Sequence, residues 1–242
     1  MRSFGKYLIL ISTLFIRRER FRVYFRLVVD ECIQVGYDSV FIVVIVSTFI
    51  GAVTAVQTGY NLVSDLIPLS VIGTIVRDMT ILELAPTIIS VVLAGKVGSN
   101  IAGYLGTMRI TEQIDALEVM GINSASYLIL PKILGCMIMF PMLVIISGFL
   151  SIYGGFLAGT LTGALTEQEY IHGIRQGFQE YNIWFALIKS LVFAFIISSI
   201  SAYNGYFTKG GALEVGQSST TAVTNSCIAV LLADFFLAKL LL

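Results

Sequence analysis

The sequence contains little charge for its length. Only 12% of its 242 residues are Asp, Glu, Lys or Arg, whereas 57% are hydrophobic, and a typical soluble domain is about 25% charged. This deficit excludes a disordered chain, which is rich in charge, and it leaves too little polar surface for a water-soluble fold. Apolar runs much longer than the strands of a membrane barrel indicate a helical integral membrane protein.

Residues and motifs that carry chemistry are also scarce. His172 is the one histidine, and the three cysteines stand singly, so we expect no disulfide framework, metal site or redox pair. The sequence has no Gly-rich phosphate-binding loop of the ATPase type, so the chain is not expected to hydrolyse ATP itself. A single histidine in a loop also argues against an intramembrane protease. We therefore predict that the chain has no catalytic residue and no cofactor, and that it does not bind nucleic acid.

Charge-free stretches divide most of the chain into five candidate membrane spans. Their predicted bounds are 39–62, 81–107, 133–162, 183–204 and 220–241, and together they define a five-span membrane domain over residues 35–242. Before them, residues 1–34 combine a short apolar run with a basic and aromatic segment, which is typical of an amphipathic helix in the membrane interface. The sequence thus predicts an all-α membrane protein with five spans preceded by an interfacial helix.

The basic residues predict how the spans are oriented. Seven of the 15 Lys and Arg residues precede residue 27, and with the N-terminus inside, ten bases fall on inner segments and three on outer ones. The positive-inside rule therefore predicts a cytoplasmic N-terminus and, after five spans, a C-terminus on the outer side. A cleaved signal peptide is the competing interpretation, but no small-residue cleavage site follows the first apolar run.

Small residues recur at every fourth position in three of the spans. The three sets are Ser47, Gly51, Ala55 and Gly59; Ala94, Gly98, Ala102 and Gly106; and Gly155, Gly159 and Gly163. Such a face allows another helix to approach closely, so we expect helix packing at each set. No sequence repeat relates the two halves of the chain, and an inverted-repeat carrier is therefore not indicated.

Three ionisable residues lie in or beside the predicted spans, where a charge needs a partner or access to water. Glu83 is expected to open the second span, either as a cap favoured by the helix dipole or at the outer mouth of a cavity. Lys96 is expected to pair with a carboxylate or to extend to the inner headgroups. Lys189 is expected to extend to the headgroups.

A short amphipathic helix is predicted over residues 110–120, on the cytoplasmic side between the second and third spans. Its apolar stripe consists of Ile110, Ile114, Leu117 and Met120. Its acidic face consists of Glu112, Asp115 and Glu118. Thr111 is the predicted N-cap and Gly121 the predicted C-cap. Because anionic lipid repels an acidic face, we expect a protein partner that takes this helix into a groove.

These segments resemble the MlaE/YrbE-type permeases, which are the membrane subunits of ABC transporters that work with MCE proteins. The similarity covers roughly residues 35–242, and its most specific part is the block from Glu83 to Gly121. The motif residues in that block are Glu83, Pro86, Gly95, Lys96, Gly98 and Gly106. The sequence departs from the family pattern at three positions, where the family often has Arg, Arg and Glu: Leu82, Lys96 and Tyr104.

The resemblance implies a homodimer in the inner membrane of a Gram-negative bacterium, with cytoplasmic ATPase subunits that bind ATP and a periplasmic MCE-domain protein. It also implies phospholipid, or a related lipid, as the cargo moved between the inner and outer membranes. By resemblance the lipid pocket includes Thr54, Gln57, Asn61, Leu62 and Glu83. By resemblance the ATPase-coupling residues are Arg109, Thr111, Glu112, Asp115, Leu117 and Glu118.

Two functions of other classes remain open at this point. One is an ATP-independent lipid carrier or flippase with Glu83 and Lys96 as titrating groups, and the other is a membrane scaffold for an MCE ring. Replacement of Glu118 with Arg is expected to separate them. A permease should lose ATPase docking and transport, whereas a carrier or a scaffold should tolerate a change at its inner face.

Overall fold

A computed structural model describes residues 2–14, 21–62, 68–163 and 165–241, and within those ranges all regular elements are helices. In chain order they are α1 (Arg2–Thr13), α2 (Phe21–Asn61), α3 (Ser70–Ile110), α4 (Gln113–Val119), α5 (Ser124–Leu161), α6 (Glu167–Arg175), α7 (Tyr181–Tyr206) and α8 (Ala212–Leu241). Five of these, α2, α3, α5, α7 and α8, are long and apolar enough to cross a membrane. The predicted class, an all-α membrane protein with five spans and an N-terminal helix, is confirmed.

The bundle has two ends, which we name the coupling-helix end and the α6 end. The first is named after α4, which contains several of the residues expected to couple the chain to an ATPase. At the coupling-helix end, α4 lies with α1, the start of α5 and the end of α7, and Asn123 donates a hydrogen bond to the carbonyl of Thr13 at 3.1 Å. At the α6 end, Tyr181 OH donates to the carbonyl of Leu241 at 2.9 Å. α7 lies in the middle and packs against α3, α5 and α8. The first and last helices therefore reach opposite ends, as five spans require.

The predicted boundary between a segment at 1–34 and a first span at 39–62 does not correspond to a break in the helix. α1 covers the start of that segment, and α2 runs without interruption from Phe21 through the predicted span. The prediction relied on the absence of charge, but the carboxylate of Glu31 is paired with Lys132 at 2.5 Å, so α2 continues through it. Three of the basic residues lie outside the described residues: Arg17, Arg18 and Arg20.

The segment just before the second predicted span is also helical. α3 begins at Ser70 and includes Arg77, which is 2% exposed. The guanidinium of Arg77 donates to the carboxylate of Asp78 at 2.8 Å. It also donates to two backbone carbonyls at the end of α6, those of Ile174 (2.7 Å) and Gln176 (2.8 Å). These acceptors allow the charge to be buried where α3 meets α6.

The remaining spanning helices are longer than predicted as well. α5 begins at Ser124, where Asn123 is the N-cap, and it continues through Pro131 and Pro141. α8 begins at Ala212, before the predicted start of the fifth span at residue 220. The predicted span bounds followed the apolar stretches alone. In the structure the helices extend further, because capping residues and neighbouring helices supply hydrogen-bond partners for the polar groups at the helix ends.

The stretch between the third and fourth predicted spans contains α6. A capping box begins this helix: Thr166 Oγ1 accepts from the Glu169 N–H, and the Glu169 carboxylate accepts from the Thr166 N–H. The hydrogen bonds from Thr166 hold the pKa of Glu169 below its usual value. Tyr170 anchors α6 to α5 through a hydrogen bond to the carbonyl of Ile152 at 2.9 Å, and burial raises the pKa of its phenol.

The small-residue faces are packing surfaces between the spans. A Cβ placed at Gly51 would lie 1.7 Å from the Ser151 carbonyl oxygen, and one at Gly154 would lie 2.2 Å from the Thr48 carbonyl oxygen. α2 and α5 therefore touch backbone to backbone along this seam. Hydroxyl groups add to it, because Ser151 Oγ donates to the carbonyl of Ser47 at 2.8 Å.

The other two sets of small residues also provide close helix contacts, but only at some of their positions. In the second set, Gly98 faces Ser201 on α7, and a Cβ at Gly205 would lie 2.6 Å from the Ala102 carbonyl oxygen. In the third set Gly155 meets α2, but Gly163 follows the end of α5 and has a φ of +70°. Gly163 is therefore a turn residue rather than part of a helix face.

Substitution of Gly51 with Ala is expected to lower the stability of the folded protein. The added methyl must push α2 away from the α5 backbone, and overpacking of this kind costs about 1–3 kcal/mol. Gly216 on α8 has no atom within 4 Å of its Cβ position, so Gly216→Ala is the matched control. Thermal unfolding in detergent measures both. Equal unfolding temperatures for the two variants would contradict the tight α2–α5 contact.

Candidate functional site

A cluster of ionised side chains lies inside the bundle where α3, α7 and α8 meet. The Nζ of Lys189 is 3.0 Å from Glu83 Oε1 and 2.6 Å from Asp234 Oδ1. It also donates to the carbonyl of Leu82 at 3.0 Å. An ammonium group has three N–H donors, and here each has an acceptor. The Lys189 side chain is 0% exposed, so its charge depends wholly on these partners.

The local structure of α3 brings two of these acceptors together. The helix is π-helical over Thr80–Ile88, and Pro86 lies within that segment. In a π-helix the N–H of a residue bonds the carbonyl five residues earlier, and Pro86 has no N–H to donate. The carbonyl of Leu82, in the turn before Pro86, is the backbone acceptor for Lys189. The Glu-Leu-Ala-Pro motif thus supplies one carboxylate and one carbonyl to the same ammonium group.

The cluster carries more negative than positive charge. Two carboxylates face one lysine, and Thr87 Oγ1 lies 3.0 Å from Asp234 Oδ1 and 3.3 Å from Glu83 Oε2. Exposure differs between the acids, because 47% of the Glu83 side chain is accessible but only 17% of that of Asp234. The excess negative charge is therefore accessible at Glu83, whose side chain lies at the outer surface of the helix bundle.

An apolar cavity lies at the same level of the bundle. It has a volume of about 170 Å³ and is enclosed by α3, α5 and α7. Ile81 and Ala85, which flank Glu83 in sequence, line it together with Phe149 and Leu187. A charged cluster and a nearly wholly apolar cavity are thus built on the same turns of α3 and α7.

Of the five residues predicted for a lipid pocket, only Glu83 belongs to this cluster. Thr54 donates to the carbonyl of Ile50 within α2, and Gln57 and Asn61 are exposed on the last turns of that helix. Leu62 packs against a second apolar cluster formed by residues of α3 and α6. Among the described residues, no hydrogen bond joins any of these four side chains to Glu83.

Two expectations about the charged residues were wrong. Glu83 does not cap a helix, because α3 begins at Ser70 and Glu83 lies more than three turns inside it. Lys189 does not extend to the headgroups, because its carboxylate partners lie inside the bundle. Asp234 was missed, although an acidic residue within the predicted fifth span is itself a signal for a buried partner.

The motif residues near Lys96 serve the contact between α2 and α3. The Nζ of Lys96 donates to the backbone carbonyl of Asp38 on α2, and no ion pair of Lys96 occurs in the part of the chain that the structure describes. Gly95 has open space at its Cβ position. Tyr104, at a position where the family often has Glu, lies with its ring centroid 4.4 Å from the Nζ of Lys132. Gly106 packs against α8.

The short helix at the other end of the bundle is present, but it begins differently from the prediction. Thr111 is not its N-cap, because its hydroxyl donates back to the carbonyl of Thr107 at the end of α3. Glu112 precedes α4 in the left-handed conformation, with a φ of +59°. The C-cap is Met120, one residue before the predicted Gly121. Gly121 is the left-handed residue that follows the cap, with a φ of +79°, and its N–H donates to the carbonyl of Glu118.

The faces of α4 separate into one directed at the bundle and one directed away from it. Ile114 is fully buried, whereas Val119 is 88% and Met120 is 65% exposed. Asp115 is exposed and forms an ion pair of 2.6 Å with Arg109, and Glu112 is exposed as well. An apolar and acidic surface of α4 is therefore available to a partner.

Glu118 was predicted on the partner face, but its carboxylate has contacts within the chain. Glu118 Oε1 accepts hydrogen bonds from Ser124 Oγ at 2.8 Å and from Tyr206 OH at 3.1 Å. Replacement of Glu118 with Arg would therefore break internal contacts as well as any contact with a partner. A residue such as Val119, whose side chain is free of such bonds among the described residues, is a better site for a docking test.

Comparisons with known proteins give a consistent family. The family described as Permease MlaE matches residues 28–240. A probable ABC transporter permease protein of Rickettsia bellii is 36% identical over 90% of this chain and 84% of its own length. One of Synechocystis is 34% identical over 91% of this chain and 83% of its own length. The chloroplastic protein TRIGALACTOSYLDIACYLGLYCEROL 1 of Arabidopsis thaliana is 30% identical over 90% of this chain and 62% of its own length.

Replacement of Lys189 with Met is expected to destabilise the folded protein by about 3–5 kcal/mol, because two carboxylates then lose their counter-charge. Adding Glu83→Gln and Asp234→Asn should restore most of that loss. Unfolding in detergent, followed by circular dichroism, measures both variants. Lys239→Met, at an exposed position near the end of α8, is the control. A single Lys189→Met variant as stable as the wild type would show that the cluster does not hold the bundle together.

Proposed function

Because the chain belongs to the MlaE permease family, we propose that it moves phospholipid or a related lipid between the inner and outer membranes of a Gram-negative bacterium. The chain is the membrane permease subunit of an ABC transporter and a multi-pass membrane protein. ATP is hydrolysed by a separate ATPase subunit, and a homodimer of the chain forms the path for the lipid. A periplasmic MCE-domain protein receives or delivers the cargo.

The observation that carries the ATPase part of this proposal is the free surface of α4. Val119 and Met120 are exposed apolar residues on a short helix that projects from the end of the bundle, next to exposed Glu112 and Asp115. This combination suits a helix that inserts into a groove of a partner protein. The positive-inside bias of the sequence puts this end in the cytoplasm, where the ATPase is.

The lipid part of the proposal is supported by the chemistry near Glu83. Apolar walls with a few convergent polar groups are typical of a site for an amphiphilic ligand. The apolar cavity lined by Ile81 and Phe149 suits an acyl chain, and the cluster of Glu83, Lys189 and Asp234 suits a polar headgroup. The Arabidopsis relative bears the name of a diacylglycerol lipid. A sugar or an amino acid would need many more buried hydrogen-bonding groups.

In this proposal α3 connects the ATPase-binding surface of α4 to the lipid site near Glu83. It is a continuous helix from the turn before α4 to the turn that carries Glu83, a distance of about 40 Å. Closure of the ATPase subunits on ATP moves α4, and α3 transmits that displacement to the lipid site. The α6 end, with the exposed C-terminal turn of α2, lies on the periplasmic side and faces the MCE-domain protein.

The proposal is tested by purification of the tagged chain from native membranes, with mass spectrometry of the proteins and lipids that accompany it. An ATPase and an MCE-domain protein in comparable amounts, with phospholipid bound, are expected. Recovery of the chain without an ATPase would favour the ATP-independent carrier. Recovery with an MCE-domain protein but neither ATPase nor lipid would favour the scaffold.

Substitution of Val119 with Arg is expected to abolish association with the ATPase and the ATP-driven transfer of lipid. It places a charge on the most exposed apolar residue of α4 without disturbing a contact within the bundle. Gln179→Arg, at an exposed position of the α6 end, is the matched control and should keep both activities. Co-purification and lipid transfer in proteoliposomes measure the outcome. Normal ATPase recovery with Val119→Arg would contradict docking on α4.

A further inference from the structure

We propose that the hydroxyl group of Tyr206 transmits the movement of α4 to α7, so that ATP hydrolysis is coupled to movement of the lipid site. Tyr206 acts here as a positioning residue, because it acts through α7 and lies far from the bound lipid. This inference rests on the proposed transport function and adds a second mechanical connection to the one through α3.

Three helices meet in a triad of polar side chains at the coupling-helix end. The two hydroxyl groups have one proton each and the carboxylate only accepts, so two of the three contacts are hydrogen bonds at any one time. Tyr206 OH lies 3.1 Å from Glu118 Oε1 on α4 and 2.8 Å from Ser124 Oγ at the start of α5. Ser124 Oγ lies in turn 2.8 Å from Glu118 Oε1. Ser124 is 2% exposed, so the set is anchored in the body of the protein. Hydrogen bonds to an ionised group are the stronger kind.

The same end of α7 is also held by α1. Tyr7 OH lies 2.8 Å from Ser199 Oγ, and the Tyr7 ring meets that of Tyr203 edge-on at a centroid distance of 5.8 Å. Ser199, Tyr203 and Tyr206 are spaced by four and three residues and therefore share one face of α7. This face is the attachment point for both short helices at the coupling-helix end.

The body of α7 can carry a displacement from this point to the cluster. Lys189 and Tyr206 are separated by about 25 Å of continuous helix. There is no proline in α7, and the glycine between Lys189 and Tyr206, Gly205, lies in the last turn, where it packs against the backbone of Ala102. The helix from Lys189 to Asn204 therefore contains neither a proline nor a glycine that would kink it. A displacement of the helical turn that contains Tyr206 therefore also displaces Lys189.

The two connections end on opposite members of one ion pair. α4 is joined to α3 through the chain itself, and α3 carries Glu83. α4 is joined to α7 through Tyr206, and α7 carries Lys189. With both connections intact, Glu83 and Lys189 move together when α4 is displaced. Without the hydroxyl of Tyr206, α4 displaces α7 only indirectly, through the packing of α3 against it, and less of the displacement reaches Lys189.

The test compares Tyr206→Phe with the wild type in the complete complex, reconstituted in proteoliposomes of phospholipid. The variant should bind the ATPase and hydrolyse ATP at the wild-type rate, but move roughly tenfold less lipid for each ATP hydrolysed, as expected for the loss of one charge-assisted hydrogen bond. Tyr127→Phe is the matched control, because the Tyr127 hydroxyl has no hydrogen-bond partner among the described residues of the same end. Glu118→Gln keeps an acceptor oxygen and should retain coupling, whereas Glu118→Ala should not.

An unchanged ratio of lipid moved to ATP hydrolysed in Tyr206→Phe would overturn the inference, and so would loss of ATPase binding. If the wild-type complex hydrolyses ATP without moving lipid, the proposed cargo fails instead. The coupling is then measured by hydrogen exchange around Tyr181–Lys189, which should change when ATP binds. Persistence of that change in Tyr206→Phe would overturn the inference without reference to the cargo.

Discussion

Lys189 carries a positive charge into the interior of a helix bundle whose outer surface is apolar, and the arrangement of three spans depends on neutralising it. An isolated ammonium group in such a place costs several kcal/mol. The acceptors come from Leu82 and Glu83 on α3 and from Asp234 on α8. Since all must reach one nitrogen atom, the cluster fixes the axial register and the rotation of α3, α7 and α8 relative to one another.

A different kind of contact holds the other half of the bundle. α2 and α5 approach backbone to backbone at Gly51 and Gly154, where there is no space for a Cβ atom. A serine hydrogen bond and the Glu31–Lys132 ion pair add to this contact. The α3–α7–α8 contact differs because it is centred on ion pairs and reaches the surface at Glu83. The bundle thus combines a fixed pair of spans with three spans whose contact can respond to a charged ligand or to a displacement from α4.

The number and order of the spans could be predicted because apolar length is a property of local sequence. Helix ends could not, since Arg77 and Glu31 are charged residues that continue a helix only because partners from distant parts of the chain receive them. For the same reason Lys189 was assigned to the headgroups and Asp234 was missed. At α4 the amphipathic pattern predicted the helix. It did not predict that the helix begins only after Glu112, which is left-handed, or that Glu118 accepts a hydrogen bond from Tyr206 within the bundle.

The charge cluster also has a consequence for biosynthesis. α3 and α7 leave the ribosome before α8, so Lys189 enters the membrane when Glu83 is present and Asp234 has not yet been made. Only the arrival of the last helix completes the set of acceptors, in agreement with the wide accessibility of α8 along the rest of its length. A chain that stops before Asp234 retains four spans, but its buried Lys189 ammonium lacks one of its two carboxylate partners.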